Sequence, residues 1–149
     1  MLRAFPVVMI MSAAVGAITP QDSSYRSFLL SPTDSALVEF EAGRFWHAAR
    51  MLREEEAAAG GPEDVLLLAR AEAGWGNWLA VAELLDGAEW LPEESGAIGL
   101  YLLGRAWEAQ GQWEEAAESY GRYVDLGLSG TTRHHASIAR RTLSLWKSG

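Results

Sequence analysis

Gly111-Gln112-Trp113-Glu114-Glu115-Ala116-Ala117 has two counterparts earlier in the same chain: Gly43-Arg44-Phe45-Trp46-His47-Ala48-Ala49 and Gly76-Asn77-Trp78-Leu79-Ala80-Val81-Ala82. Each opens with Gly, sets an aromatic ring two residues later and places a small or apolar pair at the fifth and sixth positions after it. The glycines lie 33 and 35 residues apart, the period of a two-helix unit stacked on copies of itself. A large apolar residue follows nine places after each glycine, namely Leu52, Leu85 and Tyr120. Close packing accounts for the pattern. Gly ends the first helix of a pair and turns the chain, the aromatic anchors the second helix, and the small residue lets two backbones approach.

The flanking sequence divides in the same way. Ser31-Pro32-Thr33-Asp34 reads as a cap followed by a first-turn proline. Gly61-Pro62-Glu63-Asp64 and Leu91-Pro92-Glu93-Glu94 put proline and acids where helix starts favour them, and Gly60-Gly61, Gly87 and Gly127 mark helix ends. Apolar residues recur at helical spacing, as in Val65, Leu68 and Ala69, and again in Ala116, Tyr120 and Tyr123. The spacing predicts seven helices: three pairs and a single last helix over residues 131–146. Ile138, Ala139, Leu143 and Trp146 of that last helix are expected to cover the open end of the third pair.

The pattern resembles the tetratricopeptide repeat over roughly residues 32–146. The third unit is nearly complete, with Leu100, Leu103, Gly104 and Trp107 in its first helix, then Gly111, Trp113, Ala116 and Tyr120. The second keeps Val65, Leu68, Ala69, Gly76, Trp78, Val81 and Leu85 but carries Glu72 where an aromatic is usual. The first matches in Gly43, Phe45, Ala48 and Leu52, while its first helix departs from the pattern. No unit has the family's terminal proline at its expected place. The resemblance implies an all-α fold: a right-handed superhelical array of three helix pairs plus a C-terminal capping helix, assigned to residues 32–147.

Composition sets limits on function. The chain has 149 residues, 49% of them hydrophobic and 21% charged, which fits one globular domain. A formal net charge of −8 argues against nucleic acid as a partner. The last residues differ: from Thr131 to Gly149 there is no acid, but Arg133, Arg140, Arg141 and Lys147 are present. That end could dock on an acidic surface, the protein's own included. No cysteine is present, which excludes disulfides, thiolate metal sites and an acylated lipoprotein cysteine.

Residues 1–17 read as a secretory signal peptide. Arg3 supplies the positive start, Phe5 to Val15 form the apolar run, and Val15-Gly16-Ala17 supply small residues for cleavage. Residues 18–31 are expected to be a linker, and no later stretch is free enough of charge to span a membrane. The mature protein is therefore expected in the periplasm or secreted. An uncleaved N-terminal anchor is the alternative. The C-terminus, just after a single helix, suits either a natural cap or a longer array cut short.

Sequences that carry catalysis are scarce. His134-His135 are helix neighbours, which point to different faces and chelate one ion badly, so no metal or other cofactor is expected. Glu54-Glu55-Glu56 and Glu114-Glu115 read as solvated faces. Glu94-Ser95-Gly96 followed by Ala97-Ile98-Gly99-Leu100 is similar to fragments of lytic transglycosylase motifs. That family separates the two fragments, and the repeat already accounts for Leu100. The chain is expected not to be an enzyme. A second reading makes it the non-catalytic helical region of a cell-wall enzyme resembling soluble lytic transglycosylases.

In tetratricopeptide proteins the residue after the small position of each first helix commonly faces a concave groove. Here the resemblance places Arg70, Arg105 and Arg140 at that position, 35 residues apart. Tyr101 and Leu66 stand one turn before Arg105 and Arg70. Arginine grips carboxylates through its planar fork, so such a groove is expected to take a protein or peptide with acidic or C-terminal carboxylate groups. Glu108, one turn after Arg105, could neutralise that rung, and all three arginines could instead staple adjacent repeats. The favoured expectation is a scaffold or adaptor in an envelope assembly. Self-association through Trp75, Trp90 or Trp146 is a third possibility.

Overall fold

A computed structural model describes residues 32–127 and 132–149; the signal-peptide and linker assignments lie outside the described residues. Among the described residues there are seven α-helices and no strand. They are α1 (Pro32–Glu41), α2 (Phe45–Glu54), α3 (Pro62–Trp75), α4 (Trp78–Leu85), α5 (Ile98–Ala109), α6 (Trp113–Asp125) and α7 (Thr132–Ser148). Short 3-10 turns at Ala57–Ala59 and Glu94–Ala97 precede α3 and α5. Each helix packs on the next in sequence. The first helices of successive pairs also touch, α1 with α3 and α3 with α5, and α5 touches the single helix α7.

The glycine periodicity has a direct structural counterpart. Gly43, Gly76 and Gly111 all have left-handed backbone, with φ of 74°, 92° and 76°. At each one the amide of the following residue donates back five residues: Arg44 to Glu39 at 2.9 Å, Asn77 to Glu72 at 2.9 Å and Gln112 to Trp107 at 2.9 Å. The glycine amides themselves donate to Phe40, Ala73 and Glu108 at 3.0, 3.1 and 3.1 Å. The three pairs thus share one turn, and a side chain at its left-handed position would be strained.

The repeated apolar positions form the core. Ala48, Val81 and Ala116, then Ala49, Ala82 and Ala117, then Leu52, Leu85 and Tyr120 are all buried. Their partners on the first helices are small. Ala36 stands 33 residues before Ala69, and Gly104 stands 35 after it; all three are buried. The first unit therefore keeps the small position in its first helix, a match hidden in the sequence by its neighbours. A Cβ on Gly104 would lie 2.6 Å from the Tyr120 ring, so the glycine is what admits the larger side chain.

Two expectations are corrected. Pro92 does not start a helix. Ser95, Gly96 and Ala97 are consecutively left-handed, with φ of 45°, 65° and 56°, and such a run cannot propagate a right-handed helix. Buried Leu91 pins the loop against Gly99, and α5 begins only at Ile98. The second correction concerns α7. Ile138, Ala139, Leu143 and Trp146 are exposed, and the helix buries Ser137 and Ser144 instead. Arg141 lies on the same side, with its Nε 3.3 Å from where a Cβ on Gly121 of α6 would stand. Spacings of four and three put 137, 141 and 144 on one face. The approach to α6 selects small or polar side chains, and the larger apolar ones turn outward.

Candidate partner-binding surface

The first helices carry the five side chains expected to face a partner, and the structure separates them. Leu66 is only 2% exposed and does not line a surface. Its Cδ1 lies 3.6 Å from the place a Cβ on Gly99 would occupy, an ordinary contact distance, so Leu66 is packed beneath α5. Tyr101 is half-buried, with its ring centroid 6.1 Å from that of Tyr120 and 6.2 Å from that of Tyr123. With Thr132, Arg133 and Ala136 it lines an open hollow of about 430 Å³ between α5 and α7.

The three arginines share a direction but not a chemistry. Each reaches back to the turn of the preceding pair. Arg70 lies over the Phe40 ring at 4.7 Å and Arg105 over the Trp78 ring at 5.0 Å. Arg140 instead meets Glu108, its Nη1 donating to both carboxylate oxygens at 2.6 Å. Phe40, Ala73 and Glu108 each stand three residues before the turn glycine. Phe40 and Glu108 therefore receive the arginine of the next pair directly. Ala73 is too short to do so, which leaves Arg105 to settle on Trp78.

Glu108 is the charged hinge of this surface. Burial alone would raise its carboxyl, but hydrogen bonds from Tyr120 and Arg140, with the nearby charge of Arg105, hold it below the usual carboxylate range. Tyr120 donates to its Oε2 at 2.7 Å. Burial first, and the hydrogen bond to Glu108 second, push the Tyr120 hydroxyl well above its ordinary value. Arg140 stays charged: burial would lower it, and the bond to Glu108 more than compensates. Beside this triad lies a second hollow of about 500 Å³, lined by Glu108, Ala136, Ala139, Arg140 and Leu143.

Arg70 and Arg105 are different. Among the described residues, neither has a carboxylate within ion-pair distance. A cation–π contact uses no N–H group as an ion-pair donor to a carboxylate, so the guanidinium can still donate to one. Two such guanidinium groups on adjoining first helices could hold carboxylate oxygens, whereas Arg140 is already committed to Glu108.

Glu72 fills the place an aromatic takes in the third unit, and it is fully buried. Its Oε2 accepts from Trp75 Nε1 at 3.1 Å and Asn77 Nδ2 at 2.8 Å. Its Oε1 forms an ion pair with the Arg53 guanidinium of α2. Glu72 thus ties α2 to the α3–α4 turn. The sequence signal for it was the acid standing in the aromatic slot. Of the tryptophans considered for self-association, Trp75 serves this cluster, Trp90 is half-buried and Trp146 is 74% exposed.

His134 and His135 lie ring to ring at 6.1 Å, and the described residues hold no group of three metal-ligating side chains. Among those residues no helix is long and apolar enough to cross a membrane. Glu94 and Ser95 sit in the 3-10 turn before α5. No protein-family model matches the chain. Neither curated proteins nor solved structures give a match.

Proposed function

We propose that this chain is an exported, non-enzymatic scaffold of the tetratricopeptide type. It holds an acidic or carboxylate-bearing segment of a partner protein along the surface made by α3 and α5. On this reading the three pairs and α7 form a right-handed superhelical array, and the first helices line its concave side. Three turns with the same hydrogen bonds, and one small position shared by Ala36, Ala69 and Gly104, support the repeat assignment. The observation that carries the binding proposal is the state of Arg70 and Arg105: each guanidinium lies over a ring, 35 residues apart in the chain, without a carboxylate partner among the described residues.

The test is a pull-down from envelope extract, comparing the wild-type chain with an Arg70→Glu, Arg105→Glu variant. Arg140 is left intact because its loss would strand Glu108. Circular dichroism first establishes equal helicity. The wild type is expected to retain a distinct partner that the variant loses. Equal capture by both would place the binding face elsewhere.

A further inference from the structure

Arg70 and Arg105 hold one register on two helices in contact, and that sets the distance between two unpaired charges. Each follows the buried small residue of its first helix, Ala69 or Gly104, and α3 touches α5. Helices in contact stand about 8–10 Å apart. Both guanidiniums lean the same way, toward the turn of the preceding pair, Arg70 over Phe40 and Arg105 over Trp78. The helix spacing therefore carries over to the charges.

The backbone conformations open to a partner segment meet that distance differently. A β-strand puts every second side chain on one side, so its acids recur at about 7 or 13 Å, short of the gap or beyond it. Among the described residues no strand offers an edge to pair with one. A polyproline II chain has three residues per turn and rises about 3.1 Å per residue, so residues i and i+3 share a side about 9 Å apart. An α-helix reaches about 10 Å only with acids seven apart, and it is about 10–12 Å thick. Arg70 and Arg105 are both half-buried, and a thin chain brings its carboxylates closer to them than a thick one.

The third station of the column differs. Arg140 of α7, 35 residues after Arg105, donates its Nη1 to both oxygens of Glu108. The hollow of about 500 Å³ beside that pair is lined also by Ala136, Ala139 and Leu143. A third acid would meet the Glu108 carboxylate there, whereas a large apolar side chain would meet Leu143 and two alanine methyls. We infer that the surface takes a partner segment in polyproline II conformation with the pattern acid-x-x-acid-x-x-apolar. Its acids lie on Arg70 and Arg105, and its apolar residue enters the hollow between α5 and α7. The inference rests on the two arginines being the partner-binding groups.

Blocked peptides of equal composition and charge test the pattern against the full chain by fluorescence anisotropy. Two glutamates stand one, three or five residues apart among prolines, with a leucine three places beyond the second, in both chain directions. A helical peptide with glutamates seven apart completes the set. The three-residue spacing, in one chain direction, should bind about tenfold tighter than the rest, because a wrong spacing forfeits one charge-assisted contact. Arg70→Gln, with helicity verified by circular dichroism, should weaken that peptide about tenfold and abolish the preference. Replacing its leucine with glutamate should cost about fivefold. Arginine-dependent binding at equal strength for every spacing, or a preference for another spacing or for the helix, would overturn the inference and leave the arginine surface standing. A glutamate tolerated in place of the leucine would overturn its third station. Binding that neither Arg70→Gln nor Arg105→Gln reduces, or no binding at all, would remove the inference and the arginine surface together.

Discussion

Helices α5 and α7 are the same element in two settings. They are offset by 35 residues, each carries a small residue followed by arginine, and each meets a first helix of the preceding pair. Yet Leu103 and Gly104 are buried, and Ile138 and Ala139 are exposed. Burial in a stacked array belongs to the position's neighbours as much as to the residue. A helix followed by a partner uses its apolar stripe there. Among the described residues nothing covers the same side of α7, and the helix packs on α6 through its serine side instead.

Enlarging the small position should affect the two helices most differently. Gly104→Leu should cost about 3 kcal/mol or more, because the buried Tyr120 ring has no room to yield. Ala139→Leu, into open solvent, should change stability by no more than roughly 0.5 kcal/mol. Urea denaturation of the two variants measures both. Equal costs would mean that α7 is covered after all.

The link between the two helices is the next target. Glu108→Gln should lower stability by about 2 kcal/mol, since it leaves Arg140 and Tyr120 without their charged acceptor. Tyr120→Phe removes one of those hydrogen bonds and should cost about 1 kcal/mol. Acid adds a sign. The Glu108 carboxyl is lowered in the folded chain, so its contribution is complete above the unfolded value of ~4.3 and fades as pH falls through the folded one. Melting temperature followed from pH 6 downward should therefore drop more steeply for wild type than for Glu108→Gln.

The smallest effect concerns how α5 begins. Ser95 is exposed and held at φ 45° in the left-handed run. Ser95→Gly should raise stability by roughly 0.5–1 kcal/mol by removing that strain. A loss in thermal unfolding would show that the serine makes a contact worth more than its backbone cost.

Much of this was legible in the residues because it depends on local chemistry. Glycine at 43, 76 and 111 announces left-handed turns, and helical spacing of alanine and leucine announces buried stripes. Both consequences follow from a few adjacent side chains and hold wherever the helix ends up. The all-helical fold, the successive helices and the buried positions of each second helix therefore follow from local sequence alone. The site was less legible. Register could place Arg70, Arg105 and Arg140 in one column, but it could not say what stood opposite each one.

That was decided by tertiary structure. Whether an arginine meets phenylalanine, tryptophan or glutamate depends on residues some 30 positions away and on how closely two helices approach. Packing of α3 against α5 buries Leu66, which removes a residue that spacing alone had put on the surface. Small contacts at Ser137 and Ser144 likewise turned α7 so that its apolar side faces out. Sequence set the repeating unit through local backbone and pattern. The distances between units, governed by single missing or added carbons, determined which faces stayed exposed.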